Sequence, residues 1–171
     1  MREGHHLCPS RSLSMKIELV VIGKTTSRYL QDGIDLYCKR LKHYVPFELR
    51  SLSDVKTTKS LTQERQKELE GEQFLSLLQP GDYLVLLDEH GKEYTSREYA
   101  AYIDRKMSVV PKRILFLVGG PYGFSQEVYS RADDKISFSK MTFSHEMIRL
   151  FFVEQLYRAM SILRGEPYHH D

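Results

Sequence analysis

Four segments carry residues able to do chemistry. In Val118-Gly119-Gly120-Pro121-Tyr122-Gly123 a glycine pair follows an apolar run. Glycine lets a backbone come close to a ligand and leaves its amides open. The spacing is neither GxGxxG nor a P-loop, so neither nucleotide-binding fingerprint is present. A tight strand-to-helix turn fits the same residues. Leu86-Leu87-Asp88-Glu89-His90-Gly91-Lys92 passes from apolar to polar. Asp88 and Glu89 there are either an acid/base pair or a solvated turn. In Phe138-Ser139-Lys140-Met141-Thr142-Phe143-Ser144-His145, hydroxyl side chains are interspersed with large apolar ones without helix or strand period. That suits a loop folded around a ligand that is part apolar and part polar, or a loop whose aromatics plug a core. The tail Arg164-Gly165-Glu166-Pro167-Tyr168-His169-His170-Asp171 offers a ring to stack on a base and imidazoles to move a proton.

Metal chemistry finds little footing. The two cysteines, Cys8 and Cys38, lie in no CxxC or Cys/His zinc spacing. The pairs His5/His6 and His169/His170 lack further ligands, and no metal is expected. A metal-dependent hydrolase built on Asp88, His145 and His169 is the competing enzymatic reading.

The elements that must position these segments alternate between strand and helix. KIELVVIG (16–23), PFELRSL (46–52), YLVLLD (83–88), RILFLVGG (113–120) and KISFS (135–139) read as strands. Leu30, Ile34, Tyr37, Leu41 and Tyr44 recur at spacings of four and three, one apolar helix face. Ser60 with Gln63 and Thr95 with Glu98 form capping boxes for helices over 61–78 and up to 107. Ser125 and Ser144 are N-cap candidates for a short helix and a long final one. Two continuously apolar strands within this alternation predict an α/β fold, a mainly parallel sheet with helices on both faces. Ligands then bind beyond the carboxyl ends of the strands, at loops 88–94, 119–125 and 138–145.

The final helix, Met147 to Leu163, is apolar around most of its circumference. One sheet face cannot bury it all. A second subunit packed on it resolves the excess, and so would a central position in a monomer. The chain has 171 residues, 41% hydrophobic and 28% charged, the size of one domain. No apolar run reaches the roughly 18 residues of a membrane span. Residues 1–14 lack the apolar centre of a secretory signal. They read as a disordered leader or alternative start before Met15. A cytoplasmic protein is expected. The formal net charge of +2 does not announce a general nucleic-acid binder.

Taken in order, LLDEHGK, LVGGPYGF, SFSKMTFSHEMIR, EQLYRA and RGEPYHHD resemble the ribosomal RNA large subunit methyltransferase H family, small SPOUT-class enzymes. The resemblance covers residues 15–171 as one domain. It implies a C-terminal trefoil knot, a rare exception to chain-threading rules that patterning does not reveal. It also implies a homodimer, S-adenosylmethionine as methyl donor, and N3 methylation of a pseudouridine in large-subunit ribosomal RNA on the assembled ribosome. By position, the cofactor would contact Leu87, Gly119 and Phe138, Ser139, Lys140, Met141, Thr142 and Phe143, with Gly120 beside Gly119. A noncatalytic, ribosome-associated RNA-binding factor of the same fold is the alternative.

On that reading the acceptor N3–H is a weakly acidic imide, and transfer is faster once its proton leaves. Histidine titrates near neutrality and suits a general base. His169 is the first candidate and His145 the second, with Tyr168 orienting the base. Arg149 and Arg158, placed on the polar part of the last helix, are available to phosphate or to the deprotonated imide, or else pair with Glu146 or Glu154. Lys39, Arg40, Lys42 and His43 either contact rRNA or complement a helix C-terminus. Near-neutral charge favours a reader of the ribosome over a promiscuous RNA binder.

Overall fold

The computed structural model describes residues 15–170. The leader reading of residues 1–14 and the terminal Asp171 lie outside the described residues. The element order is β1 (Lys16–Ile22), α1 (Arg28–Leu41), β2 (Phe47–Leu52), α2 (Gln63–Ser76), β3 (Tyr83–Glu93), α3 (Ser96–Val109), β4 (Arg113–Val118), α4 (Gln126–Arg131), β5 (Asp134–Ser137) and α5 (Met147–Leu163). The five strands form one sheet, ordered β2-β1-β4-β3-β5. Every pairing is parallel, as the alternation predicts.

Strand alternation splits the apolar residues between two layers. Ile17, Leu19, Val21, Val85, Ile114, Phe116 and Ile136 face a core shared with α1, α3 and α5. Val20, Ile22, Leu84, Leu86, Leu115 and Leu117 face a smaller core with Phe74, Phe124 and Val128 beneath α2 and α4. The last helix packs against both α1 and α3. Phe152, Val153 and Leu156 are fully buried there. This central position accounts for most of the helix's apolar circumference. Phe151 and Leu163 stay exposed, as do Tyr29 and Leu36 of α1.

Local capping follows sequence chemistry closely at two helices. Thr95 and Glu98 form the reciprocal capping box of α3, and Ser125 Oγ accepts from the Val128 N–H. At α5 the N-cap position falls to Glu146, which makes no side-chain cap bond, while Ser144 Oγ accepts the Met147 N–H at 3.0 Å in the turn before it. At α2 the cap moves. Thr62 accepts the Arg65 N–H at 3.1 Å, while Ser60 turns to the Thr58 hydroxyl instead.

The third strand departs most from expectation. It continues past Asp88 to Glu93, through residues whose polarity reads as loop. Both Leu87 and Lys92 are register partners of Ile136 on β5. Residues 88–91 therefore bow outward and return to the same point on the neighbouring strand. Gly91 makes the return feasible: a Cβ there would stand 2.6–2.8 Å from the Ile136 backbone.

At the opposite, amino end of the sheet lies an ionic cluster. Glu18, 1% exposed, meets Lys16 at 2.9 Å, Arg50 at 3.3 Å and Arg113 at 3.2 Å. Arg113 also meets Asp82 at 2.6 Å. Glu48 contacts Lys16, and Arg131 joins Asp133 at 3.0 Å. Arg113 holds the Asp82 carboxyl below its usual range against the opposing effect of burial.

Overpacking a well-filled site costs about 1–3 kcal/mol. Gly91→Ala should therefore lower the melting temperature by roughly 2–10 °C for a domain of this size, read by calorimetry. An unchanged transition would show that residues 88–91 do not press on β5.

Candidate functional site

The carboxyl ends of β3, β4 and β5 converge on one cavity of about 600 Å³, within the roughly 300–1,000 Å³ range of small-molecule sites. Three loops wall it. The bowed segment brings Leu87, Asp88 and Glu89, and the glycine turn brings Gly119, Gly120 and Gly123. The segment after β5 brings Phe138, Ser139, Met141, Thr142, Phe143 and His145. The backbone of that last segment is set by short side-chain bonds: Ser137 Oγ donates to the Ser139 carbonyl at 2.8 Å, and Ser139 Oγ accepts the Met141 N–H at 2.9 Å.

Asp88 and Glu89 do not form an acid/base pair. One Asp88 oxygen accepts the His90 N–H at 2.8 Å, closing a turn. The other accepts the Tyr129 hydroxyl, which burial and that carboxylate hold in its protonated form. Glu89 accepts from Thr142 Oγ1 at 3.4 Å, linking two walls of the cavity. No lysine or arginine lines the cavity, whose anionic side chains are Asp88 and Glu89, beside the imidazoles of His90 and His145. A phosphate-bearing ligand would find no permanent cation there, whereas a positively charged ligand would meet complementary charge.

A family model described as "Predicted SPOUT methyltransferase" matches residues 15–169. "Ribosomal RNA large subunit methyltransferase H" of Parabacteroides distasonis is 60% identical over 157 residues, covering 92% of this chain and all of the relative. The proteins of the same name from Bacteroides fragilis and Porphyromonas gingivalis are 55% and 51% identical over the same extents. The chain belongs to the SPOUT methyltransferase family.

Of the residues picked out in the sequence, Leu87, Gly119, Gly120, Phe138, Ser139, Met141, Thr142, Phe143 and His145 meet at the cavity. Lys140 does not line it; its ammonium points away toward Glu93, 3.9 Å distant. Tyr168 and His169 are also elsewhere. The Tyr168 hydroxyl donates to Glu154 at 3.0 Å and lies 3.1 Å from that of Tyr37. His169 Nδ1 faces the Arg158 guanidinium at 3.2 Å. Glu154 is six residues beyond cavity-lining Ile148 along α5, which is about 9 Å along the axis and roughly 120° around it. Arg158 also pairs with Glu154 at 2.5 Å, the ion-pair alternative. In the basic cluster, Arg40 stacks over Tyr37 and Tyr157.

Arg149 is a correction to the sequence reading. It is not on an exposed polar face but 1% exposed. Its guanidinium donates to the Ile22 carbonyl at 2.7 Å, and to the Gly23 carbonyl, Thr25 Oγ1 and the His145 carbonyl at 3.0 Å each. It therefore ties the end of β1 to the loop that carries His145. Glu146, next to it, accepts the Thr26 N–H and the hydroxyls of Thr26 and Ser27. Glu70 of α2 was not singled out by sequence, yet it stands directly behind Gly120. Its signal is Gly71: a helix-interior glycine is costly and points to close packing, here against Ser125 Oγ.

Leaving several buried carbonyls without donors costs on the order of 3 kcal/mol or more. Arg149→Leu is expected to destabilise by at least that amount in urea titration. A loss below about 1 kcal/mol would be in the range of an ordinary surface change and would refute the anchoring role.

Proposed function

We propose that this protein transfers the methyl group of S-adenosylmethionine to N3 of a pseudouridine in large-subunit ribosomal RNA, acting on the assembled ribosome in the cytoplasm. The observation that carries the reading is the cavity itself. It joins the glycine turn to the 138–143 segment, has apolar walls in Leu87, Ile136 and Phe138, and its formally charged groups are carboxylates. The relatives' shared name supports ribosomal RNA as acceptor. No helix among the described residues is long and apolar enough to cross a membrane.

The residues fit the donor. Backbone groups of Gly119, Gly120 and the 138–143 segment would hold its polar groups, and Leu87 and Phe138 would supply apolar contact. Asp88 and Glu89 complement its positive charge. Bound there, S-adenosylmethionine supplies a methyl group on a cationic sulfur, an electrophile that needs no metal. The chain's task is to hold acceptor nitrogen and methyl about 3–3.5 Å apart and in line, and to take the imide proton. His169 is the proposed base and Tyr168 the group that orients the acceptor ring. His145, which lines the cavity, is the second candidate for the base.

Within one chain the tail docks away from the cavity, so the two halves of this site need a second copy. A homodimer through the region of α5 supplies it, supported by exposed Phe151 and Leu163 on α5 and Tyr29 and Leu36 on α1. Residues 15–171 form a single domain on this reading, with the family's trefoil knot at its C-terminal part. The double partnership of Ile136 with Leu87 and Lys92 supports a strand passing close inside the bowed segment.

The test is incubation with labelled S-adenosylmethionine and ribosomes lacking the modification, followed by nucleoside mass spectrometry. N3-methylpseudouridine is the expected product. Cofactor binding without product on any ribosomal substrate would favour a noncatalytic ribosome-associated factor. In the same assay His169→Ala should lower turnover by about 100-fold or more, the scale of a general base, with cofactor affinity nearly unchanged. Equal losses in both would remove His169 from that role.

A further inference from the structure

Glu70 is 3% exposed, a buried carboxylate on a helix otherwise rich in solvated charge. It lies against the outer side of the glycine turn. A Cβ built on Gly120 would stand 2.5 and 2.6 Å from its two oxygens. The carboxylate accepts the Gly120 N–H and the Gln66 amide at 3.2 Å. Asp54 and His145 also face it. Among the described residues no lysine or arginine forms an ion pair with it. Burial makes the anion costly, and here it raises the proton affinity of the group. A carboxylate kept under these conditions, one backbone thickness from a cavity without lysine or arginine, has no permanent cation to pair with.

We propose that Glu70 determines specificity for the cationic methyl donor over its neutral product, because the donor's sulfonium provides the missing countercharge. This rests on the cofactor reading above. S-Adenosylmethionine and S-adenosylhomocysteine share adenine, ribose, amine and carboxylate. They differ by one methyl group and one positive charge at sulfur. A buried anion near that sulfur favours the first and loses its partner when the methyl leaves. Product release is thereby eased at the site that bound the donor. Between unit charges about 8 Å apart at an effective dielectric near 20, the interaction is worth on the order of tenfold in affinity or more.

The experiment is isothermal calorimetry of both ligands with wild type, Glu70→Gln and Glu70→Asp. Gln keeps the shape and an acceptor for the Gly120 N–H but removes the charge; Asp keeps the charge. Glu70→Gln is expected to weaken S-adenosylmethionine about tenfold and S-adenosylhomocysteine by less than about twofold, within ordinary context variation. Glu70→Asp should retain the wild-type ratio of the two affinities, whatever its effect on each. Equal weakening of both ligands would mean that Glu70 only shapes the turn. No change in either would mean that its charge does not reach the ligand; each result overturns the proposal. If the Gln variant lacks a cooperative melting transition, Glu70→Ala carries the same comparison of ratios. Absence of heat from both ligands with wild type would instead sink the cofactor reading, and the role of Glu70 with it.

Discussion

The carboxyl-terminal half of the molecule depends on one steric constraint, the close contact between β5 and the bow of β3. Two residues of β3 five positions apart share a single partner on β5, so the four residues between them must leave the sheet and come back. Backbone meets backbone at Gly91, where any side chain would collide with Ile136. The bow carries Leu87, Asp88 and Glu89 to the cavity rim, and the strand it pairs with leads directly into the 138–145 wall. Two of the three walls are thus fixed relative to each other by a contact that admits little adjustment. Close-packed interiors transmit such constraints because they cannot deform gradually.

The third wall, the glycine turn, is held from behind. Glu70 and Gly71 of α2 press on Gly120 and Ser125 respectively. Arg149 performs the corresponding task on the other side of the sheet, drawing the end of β1 and the His145 backbone onto the first turn of α5. Burial lowers the proton affinity of that guanidinium, and the four oxygens around it keep it charged and satisfied. The side chains that shape the site are therefore largely not those that line it.

How much of this was legible in the sequence depended on the range of the interaction. Thr95 with Glu98 and Ser125 were readable because a cap is decided within three or four residues. The five strands and their parallel arrangement followed from apolar runs and the alternation with helices. The continuation of β3 through Asp88–Glu93 was not readable, since those polar residues are made into a strand only by distant pairing with β5. Arg149 looked solvent-facing because a helical wheel does not say what packs on each face. Glu70 was hidden for the same reason, inside a stretch, QERQKELEGEQ, that reads as a solvated helix. The resemblance picked out segments that the fold brings together at one cavity, but it could not tell that Lys140 would turn outward or that Tyr168 and His169 would dock against α1 and α5.

The ionic cluster at the amino ends of the strands has a further consequence. Its four carboxylates, Glu18, Glu48, Asp82 and Asp133, are matched by four cations, Lys16, Arg50, Arg113 and Arg131. That rim therefore cancels much of its own field at a distance, whereas the cavity at the opposite end is lined by Asp88 and Glu89 and by no lysine or arginine. Such polarity favours a small cation at the cavity over the paired rim.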